Sequence, residues 1–314
     1  MSEITNSWHF YRGLNKDFIS KLGMLAKPGG WFADVLADTD LIIGIRNNYL
    51  QVYWRGQSLF RIDPSGKSGQ LRVSTHPKYL IDPKLSKAVK LESAGFDVKG
   101  HQALITRYSG PETLKKMKQT AKLYCGDEKK GVHALIRANP DVIDTEVAFN
   151  NKARDDEEER LLPRIDIACF EREAGGEIRL CFWEAKLYEN GEIRAEGDAE
   201  PPVLGQVRQY RKLVEKHRDE MINSYREVAK NLIEIAALAG SKRNVGDLIK
   251  EVAGGTPFTI DTPRSVGLVV YGYDDARKRS NRFKNEMAKL ERETLMTLRR
   301  VGSPKGFKLR TKHG

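Results

Sequence analysis

Apolar positions change period along the chain, and the changes mark its elements. Phe18, Leu22 and Leu25 recur at helical spacing before Pro28-Gly29-Gly30, which predicts a short helical lead-in within residues 1–36. From Asp40 the runs LIIGIR, YLQVYWRG and SLFRI are short and separated by turn residues such as Asn47-Asn48. That pattern predicts an antiparallel meander, with the Asn pair supplying the positive φ of a tight hairpin. Residues 71–73 and 78–80 would add an edge strand. Residues 84–94, 111–124 and 128–138 read as helices. Pro111 opens the second of these, Gly126 closes it, and Asn139-Pro140 stops the third.

The second half begins with an alternating strand over 142–149, which would set Glu146 and Val147 on opposite faces. Two apolar runs, 164–171 and 177–187, flank Ala174-Gly175-Gly176 and predict an antiparallel hairpin. Pro201-Pro202 launches a helix to about 216 whose stripe is Val203, Val207, Tyr210 and Val214. A helix over 219–239, a strand over 265–273 and a long basic amphipathic helix over 275–300 follow. Phe283, Met287 and Leu290 mark the buried stripe of that last helix, and a loose basic tail ends the chain. The expected class is α/β, of the α+β type with a mixed sheet. Its expected parts are a β-rich module at 1–95 for substrate or partner binding, a helical linker at 96–127 and a second domain at 128–314.

Charge sharpens this division. Residues 1–130 carry 21 Lys and Arg against 12 Asp and Glu, residues 131–210 carry 10 against 18, and residues 211–314 carry 23 against 13. An acidic middle between basic arms suits a protein whose carboxylates hold cations while its flanks meet phosphates, so nucleic acid is the expected partner. The plainer reading is that acids such as Asp155 to Glu159 solubilise a loop. No apolar run approaches the length of a membrane span, and the N-terminus lacks a secretory pattern. Three cysteines without metal-type spacing suit a reducing cytoplasm, with Cys169 and Cys181 expected as buried thiols. The six histidines are scattered, GxxxxGK[ST] is absent and so is GxSxG. Those absences argue against a zinc site, an ATP-binding loop and the common serine hydrolase.

The chemistry concentrates in two strands. Asp166 heads one, and Glu184-Ala185-Lys186 ends the next. Mg²⁺ or Mn²⁺ favours oxygen ligands and needs few from the protein. Asp166, Glu184 and the Ala185 carbonyl could supply them. Lys186 follows Glu184 by two and shares its face of the strand. There it could orient water or take part in proton transfer, with a metal pushing its pKa down. The same residues could instead be a surface ion pair, Glu184 with Lys186, and a turn-capping Asp166.

Ile165-Asp166, the glycine turn and Glu184-Ala185-Lys186 after Leu180-Cys181-Phe182-Trp183 together resemble the PD-(D/E)xK nuclease superfamily. Arg164 stands where that superfamily often has proline. Gln206-Val-Arg-Gln-Tyr210 on the following helix resembles the QxxxY element of its RecB-type and Cas4-type branch. The resemblance spans about residues 128–300 and leaves 1–95 untouched. It implies a restriction-endonuclease-like core and a metal-dependent nuclease acting on nucleic acid, DNA foremost, in a setting such as bacterial genome defence or repair. Gln206 and Tyr210 would approach the metal surroundings or a phosphate. Glu146 would be a second-metal ligand or a nearby acid, although the superfamily often draws this acid from the preceding helix, where only Glu128 stands. Arg194, Arg208, Lys115, Lys116, Arg277, Lys278 and Arg282 are candidates for phosphate contact. A protein partner or homo-oligomer stays open. The rival expectation is a nucleic-acid-binding or assembly protein on the same fold that no longer cuts.

Overall fold

The computed structural model describes residues 9–65, 69–80, 89–92, 95–96, 105–149, 164–238, 240, 243–262, 264–293 and 295–309. Two helices, α1 (Lys16–Leu25) and α2 (Trp31–Ala37), lead in. The Asn15 side chain caps α1 by accepting from Phe18 N–H at 2.8 Å, as an N-cap should. A meander follows: β1 (Ile42–Ile45), β2 (Leu50–Trp54), β3 (Gln57–Pro64), β4 (Leu71–Thr75), β5 (Val89–Glu92) and β6 (Gly95–Phe96), each antiparallel to the next. Asn48 does take positive φ, 53°. The next turn, Arg55-Gly56, has both residues at positive φ, 48° and 72°, the geometry of a two-residue hairpin.

Two expectations about this sheet are corrected. Of the helix expected at 84–94, the described residues 89–92 form β5, with Leu91 opposite Val73, while 84–88 and 93–94 lie outside the described residues. Pairing with β4 on one side and β6 on the other outweighs the weak helical preference of so short a segment. Pro77–Leu80 is a 3-10 turn rather than part of an edge strand.

Helices α3 (Pro111–Ala121) and α4 (Asp127–Ala138) lead to the second sheet. Its order is β12-β11-β9-β8-β7, with β10 (Phe258–Thr259) beside β9. The members are β7 (Val142–Ala148), β8 (Arg164–Arg172), β9 (Ile178–Leu187), β11 (Val266–Tyr271) and β12 (Leu298–Val301). β7, β8 and β9 are antiparallel neighbours, whereas β11 runs parallel to β9 and β12 parallel to β11. The fold is therefore α+β with a mixed sheet. Cys181, Trp183 and Ala185 pack with Val132 and Leu135 of α4 on one face of this sheet. Phe182 lies in the cluster shared with α5 (Pro202–Lys216) and α6 (Arg218–Leu238), its ring 6.2 Å from Tyr225. Gly131 lets α4 settle on the sheet, since a Cβ there would stand 2.0 Å from the Tyr271 ring.

The C-terminal third is less helical than its pattern predicts. Ser280 ends α8 (Asp275–Arg279) and caps α9 (Asn281–Glu291), its hydroxyl accepting from Phe283 N–H. Residues 298–301 then join the sheet as β12 instead of extending a helix to 300. The tail expected to be loose is packed as far as it is described. Leu309 is buried, and Asn139 bonds both Phe307 O and Leu309 N at 2.8 Å. Cys125, Cys169 and Cys181 are buried free thiols. Among the described residues no helix is long and apolar enough to cross a membrane.

One hydrophobic cluster joins both sheets, running from Phe10 and the meander to Phe170, Phe182 and Val266. At its polar centre lies Asp144 of β7. It accepts from Arg46 at 2.5 Å, Arg12 at 3.4 Å, Tyr225 OH at 3.2 Å and Thr145 N–H at 2.8 Å. Asp144, Arg12 and Arg46 are all nearly inaccessible to solvent. Removing one partner from such a set strands the others in a medium that cannot solvate them. Asp144→Ala should therefore cost about 3–5 kcal/mol in urea unfolding. Lys130→Ala, which breaks the exposed pair with Asp127, should cost no more than about 1 kcal/mol.

Candidate functional site

Register brings the two expected carboxylates together. Ile167 pairs with Trp183, so one step toward the sheet end sets Asp166 opposite Glu184, on the same face. Asp166 Oδ2 accepts from Ala185 N–H at 3.0 Å. Ala185 thus meets the aspartate through its amide. Lys186 shares the face as expected, its Nζ 2.8 Å from Glu184 Oε1.

Glu146 joins the pair through a backbone irregularity. Thr145 pairs with Ile167 and Val147 with Ile165, which leaves Glu146 facing Asp166. Its φ is 52°, a left-handed conformation that costs a non-glycine residue of order 1 kcal/mol or more. The carboxylate meets Lys129 of α4 at 2.7 Å. The same ammonium lies 3.4 Å from Asp166 Oδ1. Gly56 of the N-terminal sheet makes room for this lysine, since a Cβ there would stand 2.8 Å from the Lys129 side chain.

The helix expected to carry Gln206 and Tyr210 brings both to this region. Tyr210 OH donates to Arg164 O at 2.7 Å, and Gln206 bonds Glu192. Glu192 in turn holds Lys186 at 2.5 Å. Tyr210 OH also lies beside Glu184, whose Oε2 is buried and meets no donor in hydrogen-bond geometry, and Gln206 Oε1 is likewise unmatched. An orphaned carboxylate oxygen in a buried site is costly.

Electrostatics follow from this crowding. Burial raises the Asp166 carboxyl above its ordinary range, with Glu146 adding to the effect. Burial, then the neighbouring Asp166, pushes Glu184 up to about 8. Burial disfavours the Lys186 ammonium, but Glu184 and Glu192 outweigh it and raise its pKa. The lowering expected of that lysine belongs to a metal-bound site; the two acids by themselves act in the opposite direction. Lys129 is raised in the same way by Asp166 and Glu146, against burial.

The chain matches no family model, no curated protein and no solved structure. Its site must speak through geometry alone. Among the described residues no group of three or more His, Cys, Asp or Glu side chains is placed to hold a metal ion. What the site offers is a pair of carboxylates, and one or two suffice for Mg²⁺, which keeps much of its own water. The orphaned Glu184 Oε2 is the feature that such an ion would satisfy.

The basic candidates are mostly engaged elsewhere. Arg194 bonds Glu286, Tyr188 O and Glu189 O and lies over the Tyr188 ring. Arg208 pairs with Glu200 and Glu293, Arg277 with Glu189, Arg282 with Glu286, and Lys115 with Glu112. Lys116 and Lys278 are exposed on α3 and α8. Glu128, the acid of the helix before the sheet, is not in the pair either: it accepts from Leu187 N–H and Asn190 Nδ2. Sequence reading missed Lys129 and Glu192. Nothing local marks them, since each reaches the site only through packing.

A carboxyl whose folded pKa exceeds its unfolded value favours the fold most at low pH, and that advantage fades as pH rises to the folded pKa. For Glu184 the window runs from its ordinary 4.5 to about 8. Without divalent ions, the Tm of wild type relative to Glu184→Gln should fall across that window. Added Mn²⁺ should raise wild-type Tm more near the top of the window than near the bottom, because an ion binds the ionised carboxylate. A scanning-fluorimetry series in pH with and without Mn²⁺ measures both.

Proposed function

We propose that this protein is a metal-dependent phosphodiesterase acting on nucleic acid, DNA foremost, of the PD-(D/E)xK type. The observation that carries the reading is the buried Asp166–Glu184 pair on adjacent strands, with one oxygen unpartnered and Lys186 alongside. Asp166 and Glu184 would hold Mg²⁺ or Mn²⁺, with Glu146 as a further acid beside Asp166. Such an ion supplies charge neutralisation and an activated water. Lys186, kept as an ammonium by Glu184 and Glu192, donates hydrogen bonds to a phosphate oxygen or to the attacking water and stabilises developing negative charge. Gln206 fixes Glu192 and so fixes the lysine, while Tyr210 fixes the start of β8 through Arg164 O.

A second reading, a nucleic-acid-binding protein that does not cut, is favoured by one observation. Lys129 spans Glu146 and Asp166 and covers oxygens that a second ion would use. Cleavage assays on single- and double-stranded DNA and RNA separate the two. Under the first reading, Asp166→Ala and Lys186→Ala lower Mg²⁺-dependent degradation by at least about a hundredfold. Both variants should keep wild-type binding in EDTA within about threefold. Wild-type protein that binds but degrades nothing with Mg²⁺ or Mn²⁺ supports the second.

A further inference from the structure

A cavity of about 520 Å³ lies between the N-terminal sheet and the candidate site. Its inner wall is Lys129, Glu146 and Arg164, so whatever fills it lies against the residues around Asp166. Its outer lip is built from Gln57, Lys78 and Tyr124, with the buried Tyr79 behind them. The lip is braced: Gln57 donates to Tyr124 O at 3.1 Å and accepts from Tyr79 OH at 3.2 Å. Lys78 Nζ stands 5.0 Å from the Tyr79 ring centre and 5.2 Å from that of Tyr124. Tyr124 remains 40% exposed. Thr75, in the sheet wall, is buried with its hydroxyl unmatched.

These features select among ligands. The volume falls within the roughly 300–1,000 Å³ of small-ligand pockets, which suits one nucleotide and excludes a duplex. Amide and hydroxyl groups along the wall suit the polar edge of a base and oppose an apolar guest. An exposed tyrosine face beside a lysine is the combination that holds single strands, the ring stacking on a base and the cation meeting the backbone. In a duplex the bases are stacked inside, and presenting one to a pocket costs unpairing.

We infer that this cavity receives one unpaired nucleotide of a nucleic-acid strand, its base at Tyr124 and its phosphates toward Lys78 and Arg164. The strand would then be single where it meets Asp166 and Glu184. That last step rests on the nuclease reading, whereas the binding does not.

The test uses the full chain in EDTA at fixed salt, with fluorescence anisotropy of a labelled oligodeoxythymidine of about ten nucleotides and a labelled duplex of equal length. The single strand should bind at least about tenfold tighter. Tyr124→Ala and Lys78→Ala should each weaken single-strand binding by about tenfold. Lys250→Ala, on the distant exposed pair with Asp247, should not. Both cavity positions are partly solvent-exposed, and unchanged melting temperatures confirm the fold. Should Tyr124→Ala melt early, Lys78→Ala decides the matter. Equal or tighter duplex binding, or cavity variants within twofold of wild type, overturns the inference. If wild type cleaves while the cavity variants bind normally, the cavity role fails and the nuclease reading stands. If nothing is cleaved but the variants lose single-strand binding, the reverse holds.

Discussion

The structure turns on a buried aspartate. Asp144 brings the N-terminal segment (Arg12), the first sheet (Arg46), the central sheet and α6 (Tyr225) to one point. Arg12 also bonds Ala148 O and Arg46 bonds Thr145 O, so the guanidiniums clamp the backbone of β7 on both sides of Glu146. Two arginines around one carboxylate would be expensive to bury unless every group found partners. Here the carboxylate accepts from all sides, and the backbone carbonyls absorb the remaining donors. Such a network fixes one arrangement of the two sheets.

That clamp bears directly on the candidate site. A left-handed φ at Glu146 is held because the residues flanking it are fixed, and strain of this kind survives only where its surroundings determine it. The hairpin of β8 and β9 supplies the other side. Its register places Asp166 across from Glu184, and the amide of Ala185 anchors the aspartate. Two lysines then enter from different directions, Lys186 from the strand and Lys129 from α4. The result is a site dense in charge, in which each acid has a cation and a single buried oxygen of Glu184 has none.

The first sheet is more than an appendage to this centre. It shares its core with the second sheet, and its Arg55-Gly56 turn passes close to Lys129. The space between turn, lip and carboxylates is a consequence of that packing. Substrate selection and chemistry would therefore be built from opposite walls of one cavity, with no hinge needed between them.

Local sequence determined a good deal. The hairpin was legible because two apolar runs flank a glycine pair, and Gly176 takes φ 86° there. The shared face of Glu184 and Lys186 follows from a two-residue strand period, and that of Gln206 and Tyr210 from helical spacing. What local pattern misjudged were short amphipathic stretches. Residues 89–92 and 298–301 became strands because an existing sheet offered them hydrogen bonds, and Ser280 split a helix by capping it. Tertiary structure alone decided that Lys129 and Glu192 surround the carboxylates, that Arg194 is consumed by Glu286, and that Lys186 is gripped by two acids. Periodicity reports which face a residue occupies on its own element; which groups then meet depends on how distant elements pack, and so does the solvent exclusion that shifts their charges.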